Sequence, residues 1–214
     1  MESLDELLRL AEGAHGHLCA GQVLGVRMAL LGCRRLGIDD PRGRDRKRLV
    51  TFIEIDRCAT DAIGVVTGCR LGKRALKFRD WGKMAATFAD LETGRAIRIV
   101  ALESSKQRAK DLYPHIENKN RQQMQAYREM EDAELFGEQW VEVDLGPKEM
   151  PGYKGERIAC AACGEGINYD RFIQREGATL CLACAHPEQR YYRPAKDEPV
   201  PPRQDASAKR CECG

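Results

Sequence analysis

The sequence predicts an α+β fold: a mixed helix and antiparallel-sheet core domain, followed by a small four-cysteine zinc-binding domain. Helical periodicity occupies the N-terminal part, β-branched runs between turn residues follow it, and two C-x-x-C pairs lie near the C-terminus. We therefore expect a core at residues 1–145, a linker at 146–156, the cysteine module at 157–187 and an extended proline-rich tail at 188–214.

Two helices are predicted at the N-terminus. Ser3 begins a capping-box pattern, and apolar residues then repeat at helical spacing as far as Gly13, where we expect the first helix to end. A second, more apolar helix is expected from about residue 21 to residue 36, with Gly37 as its stop. Cys19 therefore lies near a helix N-terminus, which favours its thiolate.

The middle of the chain predicts strands and two further helical stretches. A basic loop at residues 41–48 leads into a strand at 49–55, and residues 59–67 form a helix closed by Gly68. Further strands are expected at residues 76–81, 84–91 and 96–102, with a hairpin turn at 92–95. Residues 104–136 are polar and helix-favouring, with a break at Pro114.

Composition excludes several classes of protein. The formal net charge of +2 gives no global bias toward nucleic acid or membranes. The most apolar stretch, residues 21–33, is interrupted by Arg27 and is too short to span a bilayer, so no membrane partner is expected. The acidic N-terminus lacks the features of a secretory signal, and we expect a cytoplasmic protein.

The strongest motif is a quartet of cysteines near the C-terminus. Cys160 and Cys163 form one C-x-x-C pair, and seventeen residues separate it from the second pair, Cys181 and Cys184. In a reducing compartment this spacing favours a four-thiolate zinc site over two disulfides. Four sulfurs fill the coordination sphere, so this zinc is expected to be structural.

A second cluster is predicted around His17 and Cys19, with Cys58 as a third ligand after the first strand. Three ligands would leave an open coordination position, so we expect a second metal ion, zinc, in the core, or a reactive thiol at Cys19. Packing of these side chains is the alternative. Three nearby carboxylates could serve as a base or orient His17. They are Glu54, Asp56 and Asp61.

Cys69 and Lys73 are less certain in position. A straight helix between Cys58 and Cys69 separates them by about 15 Å, too far for one ion. Cys69 then serves elsewhere, from a loop or at the site of a second subunit, whereas Cys33 in an apolar helix is expected in the core. Lys73 is positioned to attract an anion, and Cys19, Cys69 and Lys73 are the candidates for a catalytic role.

Four blocks of this sequence are similar to signature blocks of the FmdE family, which takes its name from one of the subunits of formylmethanofuran dehydrogenase. The resemblance covers about residues 10–140, and the terminal module resembles one that some members append. The blocks are residues 15–21 (HGHLCAG), 54–63 (EIDRCATDAI), 67–73 (TGCRLGK) and 80–83 (DWGK). Departures from the family pattern are Ala20, where proline is frequent, and Arg70, where threonine is usual.

The resemblance implies an α+β core, an intertwined homodimer, and a cleft lined by histidine, cysteine and lysine. Carried over to this sequence, the cleft residues are His17, Cys19, Cys58, Cys69 and Lys73. It also implies a protein accessory to a molybdenum or tungsten enzyme, with the subunits of that enzyme as partners. The alternative is a metal-sensing regulator that binds protein or nucleic acid through its zinc module; the loop at 42–48 and three arginines of the module permit nucleic-acid binding.

Overall fold

The computed structural model describes residues 2–193, which form two compact units divided between Lys154 and Gly155. The proline-rich tail predicted for residues 188–214 lies outside the described residues from position 194 onward. No helix in the described part of the chain is both long and apolar enough to cross a membrane.

Six α-helices occur in the first unit. They are α1 (Leu4–His15), α2 (Ala20–Leu36), α3 (Cys58–Thr67), α4 (Ser104–Leu112), α5 (Lys119–Glu129) and α6 (Asp132–Leu135). The predicted capping box at Ser3 is present, but α1 runs past Gly13 to His15. It ends there because Gly16, with φ 96°, adopts the left-handed conformation and donates its N–H to the carbonyl of Glu12. Short 3₁₀ turns lie at Leu71–Lys73 and Pro147–Glu149.

A five-stranded sheet accompanies these helices. Its strands are β1 (Leu49–Ile53), β2 (Leu76–Phe78), β3 (Ala85–Asp90), β4 (Ala96–Ala101) and β5 (Phe136–Val141), in the order β2-β1-β3-β4-β5. All pairings are antiparallel except that of β1 with β2, which is parallel.

Two differences from the predicted strands are informative. β2 stops at Phe78 instead of continuing to Trp81, because the chain there turns back to donate the Trp81 N–H to the carbonyl of Glu54. β5 occupies residues that were expected to end a helical stretch or begin the linker. It forms because β4 offers a free edge, and such long-range pairing overrides weak local preference.

Helix α2 is the centre of the core and covers one face of the sheet. It contacts α1, α3, α5, β3 and β4, and Cys33 within it is fully buried, as expected for a core cysteine. Arg27, which interrupts the apolar stretch, donates to the carbonyls of Tyr127 at 2.9 Å and Met130 at 2.8 Å. It also contacts Asp132 at 2.7 Å. The arginine therefore satisfies carbonyl groups at the C-terminal end of α5 and anchors that helix to α2.

The opposite sheet face is crossed by the segment that follows β5. Lys77 donates to the carbonyl of Glu149, and Arg79 pairs with the Glu149 carboxylate at 2.5 Å. On the same face Glu54, only 3% exposed, accepts two hydrogen bonds from Arg98 at 2.7 and 2.6 Å. This two-point ion pair neutralises a buried carboxylate between β1 and β4.

The second unit is built from two hairpins and one helical turn. Its elements are β6 (Ile158–Ala159), β7 (Gly166–Ile167), β8 (Phe172–Arg175), β9 (Ala178–Cys181) and α7 (Leu182–Ala185). Both strand pairs are antiparallel, and Glu176 (φ 51°) and Gly177 (φ 79°) form a two-residue turn between β8 and β9. Few large apolar side chains are buried here, so the elements need another source of stability.

Candidate metal sites

The first two cysteines of the C-terminal quartet lie in a tight turn after β6. The N–H of Cys160 donates to the carbonyl of Glu165 at 2.9 Å, and the N–H of Gly164 donates to the carbonyl of Cys160 at 2.9 Å. Gly164 has φ 76°, a conformation that side chains other than glycine rarely adopt. The turn therefore directs Cys160 and Cys163 to the same side of the backbone.

The second pair is supplied by the end of β9 and by α7. The N–H of Ala161 donates to the carbonyl of Thr179 at 2.8 Å, which ties the first turn to β9. The N–H of Cys181 points at the Cys160 sulfur at 3.3 Å, and Cys184 follows one helical turn later. Backbone hydrogen bonds thus bring the two C-x-x-C pairs together.

The resulting sulfur geometry fits a tetrahedral zinc ion. The four sulfurs lie within 4.8 Å of one another, and the sulfurs of Cys163 and Cys181 are 4.0 Å apart. A zinc–sulfur bond of about 2.3 Å gives a tetrahedron with sulfur–sulfur edges of about 3.8 Å. The cluster and the chemistry of its donors therefore support zinc binding in the C-terminal unit.

Local hydrogen bonds and crowding act in opposite directions on these thiols. The backbone N–H of Cys181, followed by that of Cys163, lowers the pKa of Cys160 to about 6. The backbone N–H of Glu165 also favours the Cys163 thiolate, but burial and the neighbouring cysteines outweigh it and raise the pKa of Cys163 to about 12. Packed sulfurs resist ionising together in the absence of a cation, and a divalent ion removes that resistance.

The N-terminal cluster lies where α2 and α3 begin. Cys19 is the N-cap residue of α2, and Cys58 is the first residue of α3. The two cysteines lie on either side of Gly21: a Cβ built on Gly21 would be 3.7 Å from the Cys19 sulfur and 3.4 Å from the Cys58 Cβ. Burial raises the pKa of Cys58, and the neighbouring Cys19 thiol raises it further. The structure therefore brings two of the predicted ligands together.

The histidines of this cluster have different environments. His15 Nδ1 lies 2.8 Å from an Asp61 carboxylate oxygen, so the predicted partner of His17 instead contacts its neighbour. His17 is exposed and stacks at a tilt on His15, with ring centroids 4.9 Å apart. Among the described residues, three or more ligand atoms come within 4.8 Å of one another only in the C-terminal quartet. The three-ligand set of His17, Cys19 and Cys58 thus stays a prediction.

Cys69 and Lys73 lie at the other end of α3. Cys69 is 3% exposed; it accepts a hydrogen bond from the Thr51 hydroxyl at 3.5 Å and donates to the Leu49 carbonyl at 3.4 Å. Lys73 is exposed beyond it. A ten-residue helix is about 15 Å long, so a single chain does not gather all five cleft residues at one point. Of the predicted carboxylates, Glu54 is paired with Arg98 and Asp56 lines an open pocket of about 380 Å³ beside Cys58.

Sequence reasoning missed two features of these sites. Arg190 donates to the Cys184 sulfur at 3.3 Å and to the Ala183 carbonyl at 2.8 Å, but nothing in its position marks it as a neighbour of the quartet. The His15–Asp61 pair joins residues 46 positions apart, and the HGH sequence drew attention to His17 instead. An acidic residue one turn into a helix that begins with a candidate ligand was the available signal.

Comparisons with known proteins assign both units. A family model described as "FmdE, Molybdenum formylmethanofuran dehydrogenase operon" matches residues 14–137. A second model, described as "Prokaryotic dksA/traR C4-type zinc finger", matches residues 153–190 and so includes all four cysteines of the quartet.

Two individual proteins are similar over most of the chain. A "Probable S-adenosyl-L-methionine-binding protein" of Archaeoglobus fulgidus is 29% identical over 199 residues, 85% of this chain and 53% of the relative. The chain thus spans about half the length of that relative. The crystal structure of an FmdE-like protein of tungsten formylmethanofuran dehydrogenase, from Syntrophus aciditrophicus, superimposes with a TM-score of 0.61 at 21% identity. It covers 88% of this chain and 95% of the solved one, which establishes a shared fold.

Proposed function

Because the chain belongs to the FmdE family, we propose that it is a dimeric metal-binding protein accessory to a molybdenum or tungsten enzyme of the formylmethanofuran dehydrogenase type. Its C-terminal module holds a structural zinc through Cys160, Cys163, Cys181 and Cys184. The observation that carries the metal-binding proposal is the mutual proximity of these four sulfurs, all within 4.8 Å. Bound zinc stabilises the small second unit, where apolar burial is slight.

The core site is proposed to use Cys19 and Cys58 as sulfur ligands, with His17 as the third. The proximity of the two cysteines across Gly21 supports this set. His17 is exposed on the loop before Cys19, so a change in that loop can bring its ring to the ion without disturbing the core. A bound metal there would supply an open coordination position for a small ligand. Without metal, the same two cysteines form a reactive-thiol site.

Metal stoichiometry tests both sites. We expect two zinc equivalents per chain after anaerobic purification, one equivalent for Cys19→Ser, and one for the double variant Cys160→Ser/Cys163→Ser. Cys33→Ser is the matched control, because this buried cysteine lies in the core cluster and should leave both equivalents in place. One equivalent in the wild type contradicts the core site, and none contradicts the whole proposal. A zinc-edge anomalous map of the wild type and Cys19→Ser then identifies the ligands.

The homodimer is proposed to bring Cys69 and Lys73 of one copy toward the Cys19 site of another. This follows from their separation in one chain, where α3 stands between the two places. Sedimentation equilibrium should give a mass twice that of the 24.0 kDa chain. A monomer at all concentrations contradicts the dimer and, with it, a cleft shared between copies.

The accessory role rests on the names of the family model and of the Syntrophus protein. An affinity-tagged chain expressed in its native cells should retain a molybdenum- or tungsten-containing complex, detected by elemental analysis of the eluate. A tagged Cys19→Ser chain is the control for a role of the core site in that association. Absence of both metals from the wild-type eluate contradicts the role.

Binding of S-adenosyl-L-methionine is a second candidate function, favoured by the name of the Archaeoglobus relative. Isothermal titration of the full chain with S-adenosyl-L-methionine tests it, and S-adenosylhomocysteine shows whether the sulfonium charge matters. Saturable heat supports binding within the shared region; its absence assigns any such binding to the half of the relative that this chain lacks. The regulator that binds nucleic acid through the zinc module stays a prediction, tested by salt-dependent retention of nucleic acid.

A further inference from the structure

A cavity of about 640 Å³ lies in the first unit at the C-terminal end of α3, away from the cysteines of the proposed core site. Five cationic side chains line it, and none of its twelve lining residues carries a carboxylate. The cations are Arg42, Arg46, Lys47, Arg70 and Lys73. Leu49 and Ala75 contribute apolar surface. The volume is in the range of small-ligand sites.

The acidic residues of the neighbouring loop are occupied elsewhere. Asp40 accepts the N–H groups of Gly43 at 2.9 Å and Arg44 at 2.8 Å. Asp45 is buried; it accepts the N–H of Asp40 at 3.1 Å and pairs with Arg44 and Arg48. These carboxylates stabilise the loop itself and do not neutralise the cations that line the cavity.

Three of the five cations have no acidic partner. Lys47, Arg70 and Lys73 form no ion pair among the residues that the structure describes, whereas Arg42 pairs with Glu2. A solvated lysine on a convex surface needs no explanation. Three unpaired cations around one concave site create a positive potential that a low-dielectric wall concentrates, and such a site attracts anions.

The walls of the cavity are held in place by close packing and hydrogen bonds. Gly68 has φ 69°, and a Cβ there would be 3.2 Å from the Cγ of Arg42, so the basic loop packs directly on the end of α3. Arg74 donates to the Lys148 carbonyl and connects that wall with the segment leading to Pro151 and Gly152. The cations are therefore presented by three segments that meet in space, and not by one mobile loop.

We propose that this cavity binds a small anion that carries two or more phosphate groups. Arginine forms paired hydrogen bonds with phosphate oxygens, and lysine adds a compact charge that tolerates several orientations. Three unpaired cations exceed the charge of a single phosphate group, which is about −2 near pH 7. A molecule with adjacent phosphates matches that charge and leaves its remaining part to the apolar surface of Leu49 and Ala75.

Isothermal titration of the full chain with inorganic pyrophosphate tests the proposal, together with adenosine, citrate and ADP. We expect one saturable site for pyrophosphate and ADP that weakens with added salt, and no binding of adenosine. Tighter binding of ADP than of pyrophosphate identifies a nucleotide, and the reverse identifies an inorganic or non-nucleotide diphosphate. Citrate bound as tightly as pyrophosphate overturns the phosphate assignment.

The variant Arg70→Thr/Lys73→Gln removes two of the unpaired cations, both of them exposed. Loss of two charge-assisted hydrogen bonds predicts binding at least ~10-fold weaker. Arg9→Gln removes an exposed cation of α1 outside the cavity and should change the affinity less than ~2-fold. Equal weakening by both variants, or no saturable pyrophosphate binding by the wild type, overturns the proposal. Zinc content is measured in parallel, so failure here is separate from failure of the metal sites.

Discussion

Gly25 of α2 lies directly against Ala59 of α3. A Cβ built on Gly25 would be 2.5 Å from the Ala59 carbonyl oxygen and 2.8 Å from its Cα. Both obstructing atoms belong to the backbone, so neither can rotate away. This close approach sets the spacing between the two helices whose N-termini carry Cys19 and Cys58.

Gly25→Ala should therefore separate α2 from α3 and lower the free energy of unfolding by about 1–3 kcal/mol or more. Urea unfolding of the first unit measures the change. Gly13→Ala is the matched control: it lies within α1 with nothing within 4 Å of the added Cβ. That substitution should stabilise by roughly 0.5–1 kcal/mol, since alanine is the better helix former. A neutral Gly25→Ala contradicts the helix spacing.

Removal of zinc should affect one unit only. Stripping the metal with a chelator, or the variant Cys163→Ser, is expected to abolish amide-exchange protection in residues 158–185, because metal binding contributes on the order of 10 kcal/mol in comparable modules. Protection in α2 should persist, since the first unit has its own apolar core. Hydrogen–deuterium exchange with mass spectrometry measures both. Retained protection in the C-terminal unit after metal removal contradicts a structural zinc.

The Glu54–Arg98 ion pair predicts strong coupling between two strands. Glu54→Ala leaves a partly buried guanidinium without its partner and should cost about 3 kcal/mol in free energy of unfolding. Adding Arg98→Ala removes that unpaired charge, so the double variant should lose less than the sum of the single losses. A double-mutant cycle by urea unfolding measures the coupling. Strictly additive losses indicate that the pair contributes nothing.

Acid should weaken the basic loop through Asp45. The Arg44 guanidinium, with the N–H of Asp40 and the charge of Arg48, lowers the pKa of Asp45 to about 2. A carboxyl whose folded pKa is depressed stabilises the fold above its unfolded pKa of about 3.9, and this stabilisation is lost as the pH falls toward 2. The stability difference between wild type and Asp45→Asn should accordingly be constant from pH 7 to 5 and shrink between pH 4 and 2.

Unfolding titrations at several pH values measure that difference. Asp39→Asn is the control, because Asp39 has 84% of its side chain exposed and its nearest cation is 3.9 Å away. Its difference from wild type should stay small at every pH. A constant Asp45→Asn difference down to pH 2 contradicts the role of the loop's ion pairs.

Local signals in the sequence determined the helices, their caps and the C-terminal quartet. Ser3, Gly37 and Gly68 mark helix ends through hydrogen bonds and φ angles that depend on adjacent residues alone. The two C-x-x-C pairs likewise encode their own turns, so the zinc-finger assignment followed from spacing. The family was also recognisable, since its blocks are contiguous in the chain.

Only the tertiary structure decided which distant residues meet. β5 forms because β4 has a free edge, and the His15–Asp61 contact exists because α1 packs on α3. The basic cavity arises because a loop, a helix end and a later segment converge, and no periodicity in the sequence announces such a meeting. Cys69 likewise lies in the core because α3 places it about 15 Å from Cys58. Local patterns specify backbone conformation, whereas a site depends on the packing of segments that are remote in the sequence.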